Sequence, residues 1–185
     1  MNGYHIEPFA NLAGANLAGA NLERADLHRA NLYSANLEGA NLEGANLAGA
    51  DLTDAFLKGA FLSKAELGLA ILTGANLEDA ILASANLAGT NLQRTNLFRT
   101  DFENANLYEA TLTGARLLNT IFTRANLHYV DFTGLNLATV FFTDANLTNA
   151  ALGGSYGMDV SKVARLPDAS YPSDDIWNQK IWRRK

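Results

Sequence analysis

Every fifth residue from position 12 to position 152 is leucine or phenylalanine, through 29 consecutive pentapeptides without an insertion. Four of these centres are Phe (Phe102, Phe122, Phe132 and Phe142) and the rest are Leu. A helix advances about 500° in five residues, so its leucines would spiral over all sides. A flat strand requires an alternation of two. A period of five therefore demands a chain that turns a corner in every repeat and stacks its turns. Two residues before each centre stands a small residue, and one before it stands Asn or Asp in most repeats. ANLAG, ANLEG and ADLTD are typical. The small residue and the Leu point inward, and the other three positions face outward. Burying one Leu stabilises by about 1.5–3 kcal/mol, but no repeat can bury its Leu without a neighbour above or below.

At this point the chain resembles the pentapeptide-repeat family, whose consensus is A(N/D)LXX, over residues 10–154. The resemblance implies an all-β solenoid: a right-handed quadrilateral β-helix with four repeats per coil, about seven coils, and residue n stacked on n + 20. At a strand spacing of about 4.8 Å the rod would be ~35 Å long. Three segments are expected: an N-terminal plug over 1–9 with Tyr4, Ile6 and Phe9 across the first coil, the β-helix over 10–154, and a partly helical tail over 155–185. Both ends of such a rod are unpaired sheet edges that need covering. In the tail, Asp159 is placed to cap a helix carrying Val160, Val163 and Ala164. Its bland role is to fold back over the last coil. In the gyrase-interacting members of the family, subunits join end to end through the C-terminus. By that resemblance Trp177, Ile181 and Trp182 become candidate anchors of a homodimer, Trp being favoured at interfaces.

The small position changes along the rod. It is Ala from Ala10 to Ala85, Thr at Thr90, Thr95 and Thr100, and then Val130, Leu135 and Val140 in one coil that also holds Phe132 and Phe142. The rod is expected to widen there.

The sequence offers scant chemistry. It has no Cys, which excludes disulfides, thiolate zinc sites and a Cys nucleophile. His28 and His128 share a column but lie five coils apart, and His5 precedes the repeat. No metal, phosphate-loop or nucleophile motif is present. No catalytic residue, metal site or cofactor is expected. A net charge of −5 disfavours direct nucleic-acid binding. No apolar run reaches membrane-spanning length and no signal peptide is seen, so a cytoplasmic protein is expected.

Function is sought where outward positions leave the consensus. Modulo 20, one outward column reads Asn21, Asn41, Phe61, Ile81, Asp101, Ile121, Phe141. Phe61, Ile81, Ile121 and Phe141 form the candidate site for an unidentified protein partner, exposed apolar patches being typical of such sites. Phe56, Ile71, Phe98 and Leu118 break the pattern on other faces. The alternative rests on resemblance. Quinolone-resistance and gyrase-inhibitor members imitate duplex DNA, and Glu23, Asp26, Glu38, Glu43, Asp51 and Asp54 would supply that acidic surface against a type II topoisomerase. The repeat carries only 14 acids against 8 bases, a net of −6, and lacks the projecting loops of those relatives. A column of Thr53, Thr73, Gln93, Thr113 and Thr133 suggests ice binding, for which it is sparse.

Overall fold

The computed structural model describes residues 3–159 together with 161, 163 and 164. Residue n pairs in parallel with n + 20 along the repeat, from Asn11 with Asn31 to Asn136 with Tyr156. The fold is a right-handed quadrilateral β-helix.

Each repeat is a three-residue strand followed by a two-residue corner. In the strand Ala10 points in, Asn11 out and Leu12 in, the alternation of any extended segment. The corner closes when the N–H of Ala15 donates to the carbonyl of Leu12 at 3.0 Å. Its third residue adopts positive φ, as a type II turn requires. Gly serves in many repeats, yet eighteen non-glycine residues take the same conformation, Arg24 (φ 54) and Leu69 (φ 59) among them. Between coils, the Leu12 N–H donates to Asn31 O at 2.7 Å and the Asn31 N–H to Ala10 O at 2.9 Å, a pattern repeated along the rod.

The interior is a continuous column of Leu, Ala and Phe, most of it fully buried. Phe102, Phe122 and Phe142 stack at centroid distances of 5.1 and 5.7 Å, and Phe132 meets Phe122 edge-on from the opposite side at 6.0 Å. Thr90, Thr100 and Thr120 replace Ala in the core and donate their hydroxyls to the carbonyls of Leu67, Leu77 and Leu97, each at 2.8 Å. Buried hydroxyls are thereby satisfied, which removes the main cost of placing them there.

The coil of Val130, Leu135 and Val140 departs from this regularity. Between it and the coil below, Arg116 and Asn136 are not paired, and the ladder bonds from the amides of Leu112, Gly114 and Leu117 are missing. Thr139 is the only repeat corner whose third residue avoids positive φ, as a β-branched side chain must. Its hydroxyl instead takes the N–H of Asn119 at 3.0 Å. Core exposure rises here, to 8% at Ala115 and 7% at Leu135 and Val140. The larger inward side chains fall in the coil where the ladder loosens, its bonds lost on adjacent faces.

The ends differ. Ile6 packs on the core, and the Tyr4 hydroxyl accepts the Asn16 N–H at 3.2 Å. Phe9 does not cross the coil: it occupies a corner at φ 60, 65% exposed, edge-on to His28 at 5.8 Å. Ala10, Ala20 and Ala25 stay partly exposed. At the far end the ladder runs on to Tyr156, whose carbonyl accepts the Leu137 N–H at 2.8 Å. Met158 is buried, Val163 packs against the core, and the Ala164 N–H caps the Ala145 carbonyl at 3.1 Å. Asp159 accepts the Ser161 N–H at 3.0 Å, the local bond of a capping residue. Gly157 lies against Ala138 so closely that a Cβ would meet its backbone at 2.8–2.9 Å.

Candidate functional site

The outward Asn and Asp residues are structural. Their Oδ1 atoms accept the N–H two residues on, as in Asn36 to Glu38 at 3.1 Å. Their amides also link coils, as in Asn126 to Asn106 at 2.9 Å. An apolar residue at this position gives up those bonds and leaves a bare side chain on the flat face.

Phe61, Ile81, Ile121 and Phe141 lie in one column. Phe61 pairs with Ile81, Ile81 with Asp101, Asp101 with Ile121, and Ile121 with Phe141. Phe61 and Phe141 are about half exposed, at 49% and 53%, and Ile81 is 36% exposed. Asp101 interrupts the stripe, its carboxylate accepting the Glu103 N–H at 2.8 Å. Around the adjoining corner stand Phe98 and Leu118, in successive coils. Leu118 is 53% exposed, and the Arg99 guanidinium sits 4.3 Å above the Phe98 ring. Glu78, Asn96, Phe98, Arg116 and Leu118 line a shallow open concavity of about 220 Å³.

Ion pairs flank that concavity. Lys58 donates to Glu78 at 2.9 Å, and Arg99 to Asp79 at 2.5 Å. The hydrogen bond from Arg99 holds the Asp79 carboxyl below the ordinary carboxylate range, and the bond to Glu78 raises the Lys58 ammonium. Among the described residues no carboxylate pairs with Arg116.

A second cluster was not visible in the sequence. Tyr108, His128 and Tyr129 gather on another corner, with centroids 5.7 Å apart for Tyr108 and His128 and 4.3 Å for His128 and Tyr129. The Asn149 amide lies 3.1 Å from His128 Nε2, and a hydrogen bond to Glu109 raises the Tyr108 phenol. The twenty-residue offset of Tyr108 and His128 was the available signal.

The acidic candidates are spread around the rod. Glu23 and Glu43 share a column, whereas Asp26, Glu38, Asp51 and Asp54 lie on four others. Glu43 pairs with Lys64 at 3.3 Å and Glu23 approaches Arg24 at 3.7 Å. Asp26 and Asp51 bond the backbone amides of His28 and Thr53. Trp177, Ile181 and Trp182 lie outside the described residues. Among those described, no three His, Asp or Glu side chains are grouped to hold a metal ion, and no helix is long and apolar enough to cross a membrane.

Comparison with solved structures finds the same fold. A trypsin-treated variant of QnrB1, a plasmid-mediated fluoroquinolone resistance protein, superposes with a TM-score of 0.74 at 24% identity over 83% of this chain and 77% of its own. HetL, a protein involved in heterocyst differentiation regulation from the cyanobacterium Nostoc sp. strain PCC 7120, is 29% identical over 83% of this chain and 73% of its own, with a TM-score of 0.40. No curated protein matches the chain. The family model for pentapeptide repeats matches in eight copies through overlapping segments from residue 9 to residue 156. With that match over most of its length, and a ladder that pairs residue n with n + 20 from Asn11 to Tyr156 with one rung open, the chain belongs to the pentapeptide repeat family.

Proposed function

We propose that the protein is a non-enzymatic scaffold that offers a rigid face to a partner protein, with Phe61, Ile81, Ile121 and Phe141 as the contact stripe. The observation behind this reading is one outward column that carries Phe61 and Ile81, then Asp101, then Ile121 and Phe141, with Ile121 half-buried and the other three apolar side chains exposed, at a position where the repeat mostly sets hydrogen-bonded Asn or Asp. The ladder fixes their spacing in advance, so little order is lost when a partner docks. The described residues bring no acid, base and nucleophile together, which favours binding over catalysis.

The test is a photo-crosslinking side chain at position 83, beside the stripe, in the wild type and in the double variant Phe61→Asn, Ile81→Asn. A specific adduct lost in the double variant, with its melting curve unchanged, is the expected result. An adduct equally strong in both would sink the stripe.

A second reading, regulation of a type II topoisomerase by DNA mimicry, draws on the fold shared with QnrB1. The scatter of Glu23, Asp26, Glu38, Glu43, Asp51 and Asp54 over five columns, partly neutralised, weighs against it. A gyrase supercoiling assay with and without fluoroquinolone separates the two readings. End-to-end pairing through Trp177, Ile181 and Trp182 is compatible with either.

A further inference from the structure

The concavity at Arg116 stands apart from the apolar stripe in its chemistry. Asn96 lies below Arg116 and Asn136 above it in the same column, and neither neutralises the guanidinium. The nearest carboxylate of the concavity, Glu78, is already committed to Lys58 at 2.9 Å, with Arg99 at 3.9 Å and the Asn96 amide at 3.3 Å. Arg99 is engaged by Asp79. Among the described residues, an unpaired positive charge is thus held on a rod whose repeat is net negative.

Beside the charge lies an apolar floor. Phe98 and Leu118 are consecutive rungs of one corner column, joined through the Arg99 N–H to the Leu118 carbonyl at 3.0 Å. Ala138 is the next rung, and its small side chain ends the floor in a step, backed by Gly157. The ladder is open at this coil: Arg116 and Asn136 are unpaired, and the Leu117 N–H has no backbone acceptor in the coil above. A cation and an apolar step form one corner.

We infer that this corner is a recognition notch for an extended segment of a partner protein in which a carboxylate side chain neighbours an apolar one, the carboxylate meeting Arg116 and the apolar group resting on Phe98 and Leu118. Charge selects the occupant. A basic segment meets Arg116 with repulsion, and a nucleic-acid backbone needs several converging cations, which an acidic rod with one unpaired Arg here does not supply. The notch rests on the scaffold reading and refines it. Leu118 precedes Ile121 by only three residues around the corner, so one partner can cover notch and stripe together. The stripe then supplies buried area and the notch selects the sequence.

The test is an amide-resolved NMR titration of the full chain with a capped octapeptide alternating Glu and Leu, and with its twin carrying Lys for Glu. The acidic peptide should shift the amides of Phe98, Arg116, Leu118 and Asn119 while the Lys twin leaves them in place. Arg116→Glu and, separately, Leu118→Asn should each weaken that binding at least tenfold without altering the melting curve, both side chains being exposed. Shifts elsewhere only, equal response to the Lys twin, or full binding by Arg116→Glu would overturn the notch. The crosslinking experiment keeps the two readings apart. If Arg116→Glu retains the adduct and Phe61→Asn with Ile81→Asn loses it, the notch fails and the scaffold face stands. If neither change affects the adduct, both fail.

Discussion

At the scale of the residue, the five positions of the repeat carry different physical duties, and single substitutions should separate them. Leu87 is fully buried among core neighbours above and below. Leu87→Ala should cost about 2–5 kcal/mol in denaturant unfolding, the range for a cavity in a tightly stacked core. Leu69 illustrates the opposite case. It holds φ 59 while 74% exposed, so its side chain bears left-handed strain with little burial in return. Leu69→Gly removes strain of about 1–2 kcal/mol and adds chain entropy of about 0.5–1 kcal/mol to the unfolded state. A gain of up to about 1.5 kcal/mol, read as a higher denaturant midpoint, is expected. Asp79 tests the surface electrostatics. Its carboxyl is depressed by the Arg99 hydrogen bond. A depressed folded value means that its contribution is present above the unfolded value, near 3.9, and is lost as pH falls through the lower folded value. A carboxyl-carbon NMR titration should place Asp79 below the ordinary range, and Arg99→Ala should return it there.

At the scale of the element, the coil of Val130, Leu135 and Val140 is the irregular unit. Its position was legible from the substitutions at the small position, because each larger residue must find room in a shaft sized for Ala. How the room is made was not legible. The coil sheds ladder bonds to its neighbour on adjacent faces, a backbone response that no inward side chain specifies by itself. Amide exchange should report the difference: Leu112, Gly114 and Leu117 should exchange faster than Leu92 and Leu97, whose ladder bonds are intact at 2.8 and 2.9 Å. Leu135→Ala should slow exchange at Leu117 by letting the coils close. The corners tell a similar story. A turn every five residues follows from the period, whereas eighteen non-glycine residues at positive φ follow from the stacking, which compels a conformation that local preference would refuse. Tyr108, His128 and Tyr129 are faint in the sequence because they lie on corner positions, where the repeat varies freely and only the twenty-residue offset of Tyr108 and His128 links them.

For the whole molecule, a stacked rod follows from the period, its twenty-residue register follows from the family resemblance, and the apolar stripe follows from arithmetic on that register. The notch does not, since it depends on which cation is left over after every nearby carboxylate has chosen a partner. The two ends are also a property of the whole. Met158, Val163 and Ala164 cover the last coil, so a chain shortened after Ser155 should self-associate while one shortened after Ala164 should not. Light scattering of the two proteins gives the answer. A full chain of twice the mass that becomes single after Ala164 would assign pairing to the residues beyond it.

The register also governs how such a rod can change in length. Adding twenty residues inserts a complete coil and returns every later side chain to its own face. Adding five turns everything above the insertion through a quarter revolution. One extra repeat between Thr95 and Asn96 would leave Phe61 and Ile81 facing one way and carry Ile121 and Phe141 to the neighbouring side. The chain behaves as a gear with four teeth, in which growth by single repeats preserves the fold yet redistributes the surface, and only growth by fours preserves what the surface says.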